Sequence, residues 1–394
     1  MIQETRNTRR EVYLDNHATT RVDDDVVTAM VPYFTYHYGN ASSLQHRFGW
    51  KAEAGVEHAR GDVAALLHSD PSEITFTSGA TESINLAIRG TAELAAASQR
   101  HIITVATEHH AVLDVCASLA RGGYTTTVLP VDEYGRIDPD QLRHAITGQT
   151  ALVCIMAANN EIGTIAPLKT IGSICAEAGV PFFCDATQAP VYQDVHVNDC
   201  GISMLAMSAH KIHGPKGVGA LYVKKGLALE PVLRGGGQEK GVRPGTLNVP
   251  GIVGFGVAAR TALEDRADVV DSVRPLRDFM QTRLLQCVEG ARVNGDPTSR
   301  LVNNLNITLT GINADQLMMK VKDVAMSTGS ACSSSNPEPS HVLQAIGLRG
   351  DALRSTLRFG LSKYTTASDI EYASTRILEA VTAMRLSPAA AAHS

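Results

Sequence analysis

The sequence predicts an α/β protein: a large domain on a mostly parallel seven-stranded sheet, followed by a small α+β C-terminal domain. Three observations predict it. Seven short β-rich runs recur between Glu73 and Val223, helical spacing fills most of the gaps between them, and the texture changes after about residue 250. Near-continuous apolar strands alternating with helices are the pattern of a parallel sheet covered on both faces. A length of 394 residues also favours two domains, because one core rarely serves so long a chain.

In order, the runs are "EITFT" (73–77), "HIITVA" (101–106), "TTTVL" (125–129), "ALVCIMA" (151–157), "VPFFCDA" (180–186), "ISMLAMS" (202–208) and "GVGALYV" (217–223). Segments such as "TESINLAIRGTAELAAA" and "LKTIGSICAEAG" supply the intervening helices. No long helix separates the last two runs, so the last strand is expected to be antiparallel. A long helical stretch from about Ile252 to Val288 then leads into short strands and helices ending near Met384. The expected domains are 16–258, and 1–15 joined with 259–394. The final "LSPAAAAHS" reads as a frayed end.

Composition narrows the function classes. The chain is 44% hydrophobic and 19% charged with a formal net charge of −5, which gives no electrostatic case for nucleic acid or an anionic membrane. No apolar stretch approaches the roughly 20 residues that span a bilayer. The N-terminus "MIQETRNTRREVYLD" lacks the apolar region of a signal peptide. Seven cysteines (116, 154, 175, 184, 200, 287 and 332) are scattered without a C-x-x-C pair or zinc spacing. That usage suits a reducing cytoplasm, and no metal site is expected. Cys116, Cys154, Cys175 and Cys184 lie in apolar or helical surroundings suited to core packing.

Four strand ends carry chemistry. "MSAHKIHGPKGVG" sets Lys211 just after an apolar strand, where ligands of open α/β sheets gather. Most lysines are solvated, but one desolvated there has a lowered pKa suited to forming a Schiff base. "FFCDATQ" ends a strand on Asp185 with Gln188 one turn on; an N-cap is the plainer role, and a partner for a pyridine nitrogen the functional one. In "FTSGATESINLAI" a helix opens at Ala80 and Thr81 after Ser-Gly, leaving free N–H groups for a phosphate. "VATEHHAVLD" offers His109 and His110, one to stack on a flat ring and the other a solvated neighbour. Lysine, carboxylate, phosphate cradle and stacking histidine on one sheet point to pyridoxal phosphate. A separate question is posed by "AMSTGSACSSSNPEPS" (325–340), a polar loop carrying one thiol, Cys332.

These motifs, with "YLDNHATT", "GNASSLQHRFG", "NNEIG", "RPGTLN", "GSACSS" and "LRFGLS", run nearly end to end. The chain resembles the cysteine desulfurases of the NifS/IscS-like group, class-V aminotransferases among the fold-type I pyridoxal-phosphate enzymes. The resemblance implies that Lys211 is the Schiff-base lysine and His109 the stacking residue and proton relay. Ala80, Thr81, Ser208 and His210 would hold the phosphate, and Asp185 the pyridine nitrogen. Gln188 and Asn160 would contact the ring hydroxyl and substrate side, and Arg358 the substrate carboxylate. Thr246 would reach the partner subunit's cofactor, which implies a homodimer. Cys332 would take sulfur from L-cysteine as a persulfide, release alanine, and pass the sulfur to acceptor or iron–sulfur scaffold proteins. Gln238, Pro244, Pro337 and the order "RFGLSK" depart from the group's usual pattern, away from Lys211, Asp185 and Cys332. A selenocysteine lyase, another fold-type I enzyme or a non-catalytic cofactor-bearing scaffold are the alternative readings.

Overall fold

A computed structural model describes residues 10–328 and 339–386. Its strands, in chain order, are β1 (Val12–Tyr13), β2 (Ile74–Thr77), β3 (His101–Val105), β4 (Thr125–Leu129), β5 (Thr150–Cys154) and β6 (Phe182–Asp185). They continue with β7 (Met204–Ser208), β8 (Gly219–Val223), β9 (Ala291–Val293), β10 (Asn304–Leu309), β11 (Val324–Ala325) and β12 (Thr356–Gly360).

Each of the seven expected runs overlaps a strand of one sheet, ordered β2-β8-β7-β6-β5-β3-β4. Within it β8 alone runs against the rest, pairing antiparallel with both β7 and β2, whereas β7, β6, β5, β3 and β4 pair parallel. The short connection between β7 and β8 dictates this, since a parallel return needs a crossover. Several apolar runs extend past their strands because the chain stays buried there. Ile155 and Ala157, beyond β5, still donate backbone hydrogen bonds to Phe183 and Asp185.

Adjacent residues of β6 show why the runs do not alternate. Phe182 packs into the core beneath helices Arg47–Leu67 and Val249–Glu264, while Phe183 packs on the opposite face against helix Ala80–Leu94. Burying such a side chain contributes roughly 1.5–3 kcal/mol, and both faces of the strand collect it.

The long helical stretch expected over 252–288 is instead two helices, Val249–Glu264 and Arg266–Cys287, broken at Asp265. The first packs on Arg47–Leu67 and the second on Ala367–Arg385, so each buries its face against a different layer. The expected boundary at 258/259 therefore falls inside the first helix. Beyond the break, β9, β10 and β12 form a three-stranded antiparallel sheet. The N-terminal segment joins this part of the molecule: β1 pairs parallel with β11, and Asp15 bridges Gly360.

Candidate active site

The carboxyl ends of the parallel strands open onto a cavity of about 550 Å³. Nine of the expected residues line it: Ala80, Thr81, His109, Asn160, Asp185, Gln188, Ser208, His210 and Lys211. They come from the ends of five strands, β2, β3, β5, β6 and β7, which is how residues distant in sequence converge.

Lys211 closes the short 3-10 turn Ala209–Lys211 directly after β7. Its ammonium donates to the backbone carbonyls of His17 and Ala18, the latter at 2.8 Å. One strand over, Asp185 ends β6 with only 6% of its surface exposed. Its Oδ1 accepts from the Thr187 backbone N–H (2.9 Å) and hydroxyl (2.5 Å), an Asx turn that fixes the carboxylate without opening a helix.

The phosphate cradle begins where β2 ends. Gly79, at φ +154, turns the chain into helix Ala80–Leu94 and offers no side chain to cap it. The first N–H groups thus remain available at the positive end of the helix dipole. A Cβ on Gly219 would stand 2.6 Å from the Gly79 Cα, so the cradle seats against β8 only because Gly219 lacks one. Glu82, in the first helical turn, would repel an anion if its charge were unshared. Burial raises its pKa, but hydrogen bonds from Arg243 (2.8 Å) and the Ser78 N–H (2.6 Å) outweigh that and lower it overall.

His109 caps helix His110–Ala120, its Nδ1 accepting from the Ala111 N–H at 3.0 Å, which leaves Nε2 to carry the proton. Burial lowers its pKa; Asp185 opposes and Lys211 assists. His110 is the solvated neighbour, with its ring 3.8 Å from Asp114. His210, bonded to the Thr19 hydroxyl at 3.1 Å, is pushed down to about 4 by burial and by Lys211 and Lys216.

Two participants carried no assigned role in the sequence. His17, in the "YLDNHATT" stretch, is buried, and its Nδ1–H donates to Gln188 Oε1 at 3.0 Å. Gln188 Nε2 returns a bond to the His17 carbonyl (3.1 Å), and Asn304 Nδ2 donates to His17 Nε2 (3.0 Å). Glu108, beside His109, is wholly buried: Oε1 accepts from the Met156 N–H at 2.5 Å, and Oε2 has no partner among the described residues. Burial, with Asp185 nearby, pushes its pKa well above the usual carboxylate range, so the surroundings disfavour its charge.

Two expected residues stand elsewhere. Arg358 is 1% exposed and lies behind Asn160 rather than on the cavity wall. It donates to the Asn160 carbonyl (3.1 Å) and Asp15 (3.0 Å), while its buried Nε has no acceptor among the described residues. Thr246 is exposed and does not line the cavity. Its loop is tied inward by Gln238, which accepts from the Gly245 N–H at 2.9 Å, and by Glu239, which holds Arg60 (2.7 Å) and the Phe76 N–H (2.8 Å). Cys332 lies outside the described residues.

A separate surface cluster joins His68 and His196 to the two oxygens of Asp194, each at 2.9 Å. The rings lie face to face 3.4 Å apart, so their lone pairs run side by side instead of converging on one ion. Arg266 shares Asp194, which ties the chain after β6 to the start of helix Arg266–Cys287.

The cavity residues fit pyridoxal phosphate. Free helix N–H groups with Ser208 and His210 suit the phosphate, the Asp185 carboxylate suits a pyridinium, and Lys211 suits an aldehyde.

Known proteins agree with this geometry. The chain is 45% identical to "Cysteine desulfurase IscS" of Rickettsia bellii (strain OSU 85-389) over 380 residues, 96% of this chain and 93% of that protein. A solved "NifS-like protein" superposes with a TM-score of 0.89 at 35% identity, covering 94% of this chain and 99% of that one. A structure of "SspA in complex with cysteine" gives 0.80 at 35% identity, covering 90% and 100%. Residues 12–373 match the family Aminotransferase class-V. The chain belongs to that family.

Proposed function

We propose that this protein is a pyridoxal-phosphate-dependent cysteine desulfurase, converting L-cysteine to L-alanine with transfer of the sulfur to Cys332. The observation that carries the reading is the single cavity shared by Lys211, Asp185, His109 and the open helix at Ala80. Relatives bearing the name cysteine desulfurase support the substrate.

When bound, the cofactor's protonated ring supplies the electron sink for loss of the α-proton. The chain's own groups do the rest. Lys211 would hold the cofactor and move the proton at the substrate's α-carbon, Asp185 would pair with the ring nitrogen, and His109, with its proton on Nε2, would lie against the ring. Arg358, whose Nε–H has no acceptor among the described residues, would have to reach the substrate carboxylate past Asn160, whose carbonyl it holds. The Cys332 thiolate then attacks the substrate sulfur: the substrate C–S bond breaks, an S–S bond forms, the electron pair goes to the β-carbon, which takes up the proton released when the Cys332 thiol ionised, and the α-carbon regains its proton to give alanine.

The working unit we propose is a homodimer. Phe34, Tyr36, Tyr38, Leu44, Phe48 and Trp50 are all at least 49% exposed, an apolar surface suited to a second copy. Thr246 would reach the partner's phosphate from there. The two domains divide in our reading close to the Asp265 break, with the N-terminal strand belonging to the small domain. Acceptors are proteins of iron–sulfur cluster assembly or thiolation pathways. We place the reaction in the cytoplasm: the described cysteines are all free, and no helix among the described residues is long and apolar enough to cross a membrane.

The test is direct. Holoenzyme given L-cysteine should release alanine in step with persulfide on Cys332, read by alkylation and mass spectrometry. Amino-group transfer to a keto acid without alanine would overturn the reading. Faster alanine release from selenocysteine in competition would shift it to a lyase.

A further inference from the structure

We propose that Glu161, acting through Ser340, is a positioning residue for sulfur transfer: it pins the C-terminal root of the segment carrying Cys332 to the strand end that presents Asn160. The proposal rests on Cys332 as the sulfur-accepting thiol.

The two roots of residues 329–338 are both described, and both attach beside site residues. On the N-terminal side, Ser327 and Arg358 exchange backbone hydrogen bonds at 3.2 and 2.6 Å. On the C-terminal side, the Ser340 hydroxyl donates to Glu161 Oε2 at 2.5 Å and accepts from the Leu343 N–H at 3.1 Å, starting helix His341–Ala345. Next along, His341 Nε2 donates to the Glu108 carbonyl at 2.8 Å. One root is thus paired to Arg358, and the other is held by the immediate neighbours of Asn160 and His109.

Glu161 is the centre of this attachment. It is 5% exposed and Ser340 is 7% exposed, so their bond is sheltered from competing water. Its own backbone is fixed on both sides. The N–H donates to Asn159 Oδ1 (2.8 Å), and the carbonyl accepts from Asn304 (3.1 Å) and Asn306 (3.2 Å). The following residue, Ile162, packs with Val342, Leu343 and Ile346 of the helix after the segment. A buried carboxyl needs a reason, because apolar contact alone would hold this helix more cheaply than a desolvated acid. Burial raises the Glu161 pKa, while Ser340, Arg358 and His110 work in the other direction. The polar bond supplies what the apolar contact lacks, a fixed azimuth for Ser340, the second residue after the segment.

This role predicts a split between binding and transfer. Cofactor and cysteine are held by the sheet, so Glu161→Ala holoenzyme should keep its visible absorbance and the spectral change on adding cysteine. Alanine kcat should fall by about 10²-fold, the scale for misplacing a reacting group by about 1 Å, with KM little changed. Glu161→Gln keeps an acceptor for the Ser340 hydroxyl and should recover most of that turnover. Ser340→Ala should match Glu161→Ala, and the double variant should be no slower than either. Should Glu161→Ala fail to fold, Ser340→Ala decides: slow turnover with cofactor retained supports the proposal, and wild-type turnover overturns it. Equal losses in Glu161→Gln and Glu161→Ala would also overturn it. A parallel Cys332→Ala control separates the layers. If that variant turns over normally, the underlying reading fails; if it is inactive while Ser340→Ala is normal, only the positioning role fails.

Discussion

His17 and Gln188 are bonded to each other twice, imidazole N–H to amide oxygen and amide N–H to backbone carbonyl. With Asn304 donating to the other ring nitrogen, the imidazole is fixed as one neutral tautomer. Burial first, then Arg358, holds its pKa down to about 3 from an ordinary 6.5. The unfolded chain therefore takes up this proton below about pH 6.5, and the folded chain only near pH 3. Stability contributed by neutral His17 is complete above pH 6.5 and is lost as the pH falls through that window. Its ceiling is on the order of 4–5 kcal/mol from the shift per pKa unit. Denaturant unfolding of apoprotein at pH 7 and pH 4 should show a flatter pH dependence for His17→Asn than for wild type. An equal slope would mean the ring is protonated in the folded state.

Lys211→Ala should lose covalent attachment of the cofactor. Borohydride should fix none of it to the chain, and alanine formation should drop by about 10²–10⁴-fold, the range for losing a positioned acid–base group. A mutant that still retains borohydride-reducible cofactor at another lysine would remove Lys211 from its role.

Cys332→Ala should separate the two halves of the reaction. The rigid strand ends hold cofactor and substrate, so absorbance and the cysteine-induced spectral change should persist while alanine production nearly stops. A structural cysteine would lower cofactor binding and thermal stability together. Rapid-mixing spectra and an alanine assay on the same preparation distinguish these outcomes.

Trp50→Glu should weaken self-association, since a charge in an apolar contact is costly when unpaired. Sedimentation at falling concentration should find monomer earlier than for wild type. Monomer should also bind the cofactor more weakly, because Thr246 stands off its own chain's cavity. A stable monomer with full cofactor affinity would contradict the shared site.

Much of the sheet could be read from the sequence because β6 and its neighbours are apolar on both faces, which leaves unbroken runs such as "VPFFCDA". Their ends were less legible: Ile155–Ala157 is as apolar as β5 yet belongs to the loop shaping the site. The break at Asp265 carries no glycine or proline signal; it follows from two packing layers that only the folded chain defines. Lys211, Asp185 and the opening at Ala80 were legible because each follows an apolar run at a sheet edge. His17 was not. Its partners Gln188 and Asn304 lie 171 and 287 residues away, and no local pattern announces a contact of that range. Glu108 and Glu161 were hidden for the opposite reason, since an acid in a loop sequence reads as solvated.

The reversed strand β8 acts as a spacer with a fixed width. It lies between β2, which ends in the phosphate cradle, and β7, which ends in Lys211. At about 4.8 Å per strand, the ends of β2 and β7 are held roughly 10 Å apart along the sheet edge, and the turn at Gly79 brings the helix opening back beside Ser208. Asp185, on β6, comes one spacing further in the same direction. The site thus measures length before it does chemistry: an aldehyde without a phosphorylated arm could engage the lysine and would leave the helix opening unfilled.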